Sequence, residues 1–80
     1  MSKEKEITFK IVKEIGVLST NDKGWSLELN VVTWNGGKPK YDIRAWNEDH
    51  SKMGKGIRMT QEELNELVNL VNHTENVWED

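Results

Sequence analysis

The sequence predicts an α+β domain, four antiparallel strands followed by one C-terminal helix (β-β-β-β-α). Three observations predict it. Apolar and polar residues alternate through much of residues 7–59, the period of two that a half-buried strand requires. Polar, glycine-bearing stretches at 19–24, 36–38 and 48–56 interrupt that alternation and read as turns or loops. After Thr60 the spacing of apolar residues changes to that of a helix.

Ile7, Phe9 and Ile11 alternate, and Ile15 and Val17 resume the same odd parity, so the first strand is long, with Gly16 a bulge or bend. Trp25, Leu27, Leu29 and Val31 give a second strand running to about Asn35. The third covers 40–47, with Tyr41, Ile43 and Ala45 on one face and Asp42, Arg44 and Trp46 on the other. Ile57 and Met59 form a short fourth strand, with Arg58 pointing the other way. Thr60 and Glu63 have the spacing of a capping box, and Leu64, Leu67, Val68 and Val71 form the apolar stripe of a helix to about Asn72 or Val77. Leu70 and Val77 lie beside that stripe, which suggests cover from a second copy of the chain or a frayed margin of the core.

Eighty residues make one domain with a thin core. Residues 1–6 are charged and expected to be disordered, leaving 7–80 as the folded unit. There is no cysteine, which excludes disulfides and thiolate zinc sites, and self-association becomes a reasonable route to further burial. The absence of a signal peptide or an apolar run of about 18 residues predicts a soluble, cytoplasmic protein with no membrane partner. The formal charge of −3 hides an asymmetry: residues 61–80 carry −6 and residues 1–60 carry +3. A basic front suggests an acidic partner; an acidic solvated helix is the plainer explanation.

Hairpin register decides what the front displays. A two-residue Gly-Gly turn would set Val31 against Asp42 and mix the two faces, which burial of one face forbids. A three-residue loop, Gly36–Lys38, restores parity: Val31 faces Ile43, and Trp34 faces Lys40. The side away from the helix would then hold Trp34, Lys40, Arg44, Trp46 and Arg58, with Lys10 a candidate from the first strand. Lys38, Lys52 and Lys55 would border it on loops. Indoles among cations on an uncovered sheet suit a single nucleic-acid strand. Aromatic faces stack bases at about 1–3 kcal/mol each while lysine and arginine neutralise phosphates. Cross-strand packing under cation stems, or a protein–protein hot spot, accounts for the same residues. Trp25, on the apolar parity, reads as core.

No catalytic signature appears. His50 and His73 are the only histidines, no serine sits in a nucleophile elbow, and the glycines of 52–56 lack phosphate-loop spacing. Asp42 and Glu28 are expected to pair with nearby cations. No metal or other cofactor is expected.

At Asp42-Ile43-Arg44-Ala45-Trp46 and Lys55-Gly56-Ile57-Arg58-Met59-Thr60, followed by a glutamate-rich helix start, the chain resembles the transcriptional positive cofactor four family, in particular its bacterial YdbC-type branch. The similarity spans about Trp25 to Val71. It implies a homodimer of curved four-stranded sheets that binds single-stranded or melted DNA without sequence preference. It also implies that Arg44 contacts phosphate, that Trp34 and Trp46 stack bases, and that Lys52 and Lys55 are basic loop positions. The chain departs from the family at Val32, Asn35 and Gly37, where basic residues are missing, and in a shorter strand end at Ala45-Trp46. The resulting expectation is sequence-independent single-stranded DNA binding by a homodimer, with transcription machinery as a further partner. Single-stranded RNA, or an adaptor role for the tryptophan face, are the alternatives.

Overall fold

The computed structural model describes residues 7–74. Strands β1 (Phe9–Thr20), β2 (Ser26–Trp34), β3 (Lys40–Trp46) and β4 (Met53–Met59) form one antiparallel sheet in sequence order, and helix α1 (Gln61–Asn72) follows. The predicted fold class holds. Thr60 caps α1 as expected: its Oγ1 accepts the Glu63 N–H at 3.1 Å while Glu63 Oε1 accepts the Thr60 N–H at 2.9 Å. The first turn of the sheet closes on Asn21, whose Oδ1 accepts from the N–H groups of Lys23 and Trp25. Trp25 sits half-buried in that turn, just ahead of β2, so it is not the strand residue expected.

Parity in the β2–β3 hairpin is as read from the sequence, but the register is displaced by two residues. Val31 faces Tyr41, Leu29 faces Ile43, and Glu28 faces Arg44. The reversal falls at Asn35 and Gly36, both with positive φ (53° and 74°), and the Gly37 N–H donates to the Trp34 carbonyl at 2.9 Å. The loop is therefore centred one residue earlier than Gly36–Lys38. Parity alone cannot separate registers that differ by two.

The larger correction concerns β1 and which face is inside. Three extra residues, Val12, Ile15 and Leu18, interrupt its pairing with β2 at intervals of three. Each bulge adds local twist and bends the strand. Phe9 pairs with Trp34 and Ile11 with Val32, so they join the even-numbered face, while Lys10 pairs with Thr33 and leaves it. The effect of the bend can be sized. Phe9 is opposite Trp34 and Trp46 is opposite Ser26, so a flat sheet would separate them by about 26 Å at roughly 3.3 Å per residue. Their rings are in fact 5.1 Å apart. The sheet is coiled onto its even face, and that face is the core: Val32, Trp34 and Trp46 are its buried hydrophobic residues.

The odd face, expected to be core, is the outer one. Leu29, Val31, Tyr41, Ile43 and Ala45 are only half-buried, and Leu27 and Ile57 are exposed. Helix α1 touches β3 and β4 but buries no residue; Leu64 is half-covered, while Leu67, Val68, Leu70 and Val71 lie open. Val77, the further of the two expected helix ends, lies outside the described residues, as do residues 1–6, which were expected to be disordered. Among the described residues no helix is long and apolar enough to cross a membrane.

Candidate nucleic-acid interface

Trp34 ends β2 at the rim of the coiled face, where the Asn35–Gly37 reversal brings Lys38 back beside it. The guanidinium of Arg58, from β4, lies 4.1 Å from the centre of its ring system, and that of Arg44, from β3, lies 4.5 Å away. Cations so placed are attracted by the negative face of the indole. Trp34, Gly37, Lys38, Lys40 and Arg58 line a surface hollow of about 180 Å³. Lys38, Lys40 and Arg58 are exposed, and Trp34 is 8% exposed. The hollow sets three exposed cations around the small open edge of Trp34, whose ring already carries the guanidinium groups of Arg44 and Arg58.

Arg44 has a different environment from the one its sequence position implies. It is 7% exposed and binds Asp42 in a two-pronged pair, Nε to Oδ1 at 2.7 Å and Nη2 to Oδ2 at 2.8 Å. Its Nη1 donates to the Gly54 carbonyl at 3.3 Å. The charge expected to meet phosphate is thus already neutralised, by the acid whose pairing with a cation the sequence predicts. Gly56 makes this geometry possible. It sits opposite Arg44, and a Cβ there would come within 2.5 Å of the Ile43 carbonyl oxygen and 2.7 Å of Arg44 Nε. Glycine is needed at that position for space to its neighbour strand, not for a phosphate to approach.

Trp46 is fully buried, contrary to the expectation of a wet ring. It packs against Phe9 and, at 5.3 Å, against His50. His50 Nε2 lies 2.9 Å from Glu28 Oε1, which also accepts from Asn30 Nδ2 at 3.1 Å. The Nε1 groups of both Trp34 and Trp46 are buried without a hydrogen-bond partner among the described residues. An indole N–H sealed in this way costs about 1–3 kcal/mol. The loop carrying His50 is tied by Asn47, which accepts the Lys52 N–H at 2.9 Å. Hydrogen bonds from Ser51, its side chain first, hold the Asp49 carboxyl below the usual carboxylate range.

Lys52 is exposed just ahead of β4, next to Met53, which pairs with Trp46. Lys55 lies within β4, not on a loop. It is exposed and lies where the β3–β4 pairing shifts register between Arg44 and Trp46. The structure thus gathers Trp34, Lys38, Lys40 and Arg58 at one hollow. It buries Arg44 and Trp46, and Lys55 is not among the residues that line the hollow. Sequence reasoning missed Phe9 and His50 as members of this face. Period two placed Phe9 on the other side; Gly16 marked the bulge at Ile15, but no sequence signal marks those at Val12 and Leu18.

A family profile described as Transcriptional Coactivator p15 (PC4) matches residues 21–70, which include β2, β3, β4 and most of α1. An uncharacterized protein from Treponema pallidum (strain Nichols) is 50% identical over 64 residues, covering 80% of this chain and 75% of that relative.

Proposed function

This chain belongs to the transcriptional coactivator p15 (PC4) family, and we propose that it binds single-stranded DNA without sequence preference, first engaging it at the hollow around Trp34. The family is one of single-stranded-DNA-binding coactivators and is not enzymatic. The observation that carries the finer reading is the hollow at the edge of Trp34, an indole 8% exposed, with Lys38, Lys40 and Arg58 around it. An unpaired strand offers a base face to the ring and phosphates to the cations together. A duplex keeps its bases stacked inside and can use only the charges. Lys52, exposed at the other end of β4 from the hollow, offers the strand a further cation; Arg44 and Trp46 support the face from behind. The cellular task is the handling of melted DNA in transcription. RNA satisfies the same contacts, because stacking and phosphate neutralisation do not by themselves reject a 2′-hydroxyl.

Titration with oligo-dT at several salt concentrations, followed by tryptophan fluorescence and with duplex DNA as competitor, tests this. Quenching, salt-weakened affinity and preference for the single strand are expected. Arg58→Ala should lower the salt slope by about one charge, whereas replacing the pair together, Asp42→Leu with Arg44→Met, should leave it near the parent value because Asp42 already neutralises Arg44. No spectral change with oligo-dT rejects the reading.

The working unit in this proposal is a homodimer. Leu67, Val68, Leu70 and Val71 on α1 and Ile57 on β4 are exposed together with the half-buried odd face. An 80-residue chain that coils its sheet around one core leaves this second apolar surface for a copy of itself. Light scattering should give twice the 9.3 kDa chain mass. Leu67→Glu together with Val71→Glu should return it to the monomer value, and a monomeric parent rejects the dimer.

A further inference from the structure

The coiled face holds a third aromatic ring that the nucleic-acid reading leaves without a role. Phe9 is the first residue of β1, an edge strand, and its ring lies 5.8 Å from Trp34 and 5.1 Å from Trp46, tilted by 43° and 49°. Among the described residues it is the one side chain in aromatic contact with both indoles, and it is only half-buried. Its position depends on a small external latch. Asn35 Oδ1 accepts the Thr8 N–H at 2.9 Å, and the Asn35 N–H donates to the Thr8 carbonyl at 2.7 Å. Both partners are exposed, and Ile7 beyond them is 63% exposed, so little buried surface holds this end of β1 down. The Nε1 groups of these two indoles are buried with no hydrogen-bond partner among the described residues.

We propose that Phe9 occupies the slot between Trp34 and Trp46 that a base takes, so that a single strand stacks there only after the leading end of β1 lets go. The inference rests on the DNA-binding reading above and adds a step to it. Lys38, Lys40 and Arg58 capture the strand at the open rim, and a base then displaces the phenyl ring from the indoles. Because ring and base compete for the same surfaces, the apparent affinity is lowered by the fraction of molecules in which the slot is closed.

The test uses the full chain carrying Trp25→Phe and Trp78→Phe, so that emission reports Trp34 and Trp46. In that background the parent is compared with Phe9→Ala and Asn35→Gly. Asn35→Gly deletes the side-chain half of the latch, keeps the main-chain bond to the Thr8 carbonyl and tolerates the positive φ of 53°, so it loosens the slot without removing the ring or straining the turn. Both variants should show stronger acrylamide quenching when free, and both should bind oligo-dT about fivefold more tightly, the factor an aromatic pair of ordinary strength represents. Unchanged quenching in a folded Asn35→Gly protein would mean that the latch does not close the slot, and overturns the proposal. Increased quenching with unchanged or weaker binding also overturns it while leaving the DNA reading intact. If neither parent nor variants bind oligo-dT, the DNA reading falls and the competition falls with it.

Discussion

Asp42→Ala is expected to remove about 3–5 kcal/mol of stability, the usual cost of deleting one partner of a buried ion pair. Both carboxylate oxygens accept from Arg44 at 2.7 and 2.8 Å, the aspartate is fully buried, and the arginine is 7% exposed. Truncation therefore strands a guanidinium under Trp34 and Gly56 with its counter-charge gone. A domain of this size stands near the low end of the stability range, so the loss unfolds a large part of the population at room temperature. Urea unfolding followed by far-UV circular dichroism measures it. The double variant Asp42→Leu with Arg44→Met should recover most of the loss, because no buried charge is then left over. An Asp42→Ala protein within about 1 kcal/mol of the parent would show that Arg44 readily finds water, and the pair would not be the lock described.

That pair also shows how much of the molecule was legible in its sequence. The alternation of β2 and β3, the capping box at Thr60 and Glu63, and the helical stripe from Leu64 to Val71 each follow from local spacing, and each appears in the fold. The partition of Asp42, Arg44 and Trp46 onto one face was equally readable, because a single residue of slip would have exchanged the faces. What local spacing did not disclose was which face would be inside. That depends on Val12, Ile15 and Leu18 being left out of the β1 ladder, a matter of long-range pairing. In a straight strand Phe9 keeps company with Ile15 and Val17. With three bulges, Phe9 and Ile11 turn to Trp34 and Val32, and the sheet coils around them. The candidate site is affected in the same way. Its rim cations were identifiable one by one, but the burial of Arg44 and Trp46 follows from the coil. The basic strand-end motif alone does not distinguish a cation that meets phosphate from one that meets Asp42.

Trp46→Ala is expected to cost a further-reaching loss, about 3–5 kcal/mol, because it empties the largest fully buried side chain of the coiled face. The contacts with Phe9 at 5.1 Å and His50 at 5.3 Å would go together, freeing the start of β1 and the loop between β3 and β4. Trp46→Phe should behave quite differently. It keeps an aromatic ring against both neighbours and removes an indole N–H that has no partner, so part of the lost packing is offset by the vanished desolvation cost. The net change should lie within about 1.5 kcal/mol, as for tolerated hydrophobic exchanges. Equal damage from the two substitutions in thermal unfolding would mean that Nε1 is satisfied and that the ring's polar edge matters. The comparison also governs how binding data are read. A Trp46→Ala protein that fails to bind oligo-dT has first lost the scaffold that presents Trp34, Lys38, Lys40 and Arg58. In Trp46→Phe that scaffold persists, so its retained capture of the single strand would separate the ring that holds the sheet coiled from the ring that greets the DNA.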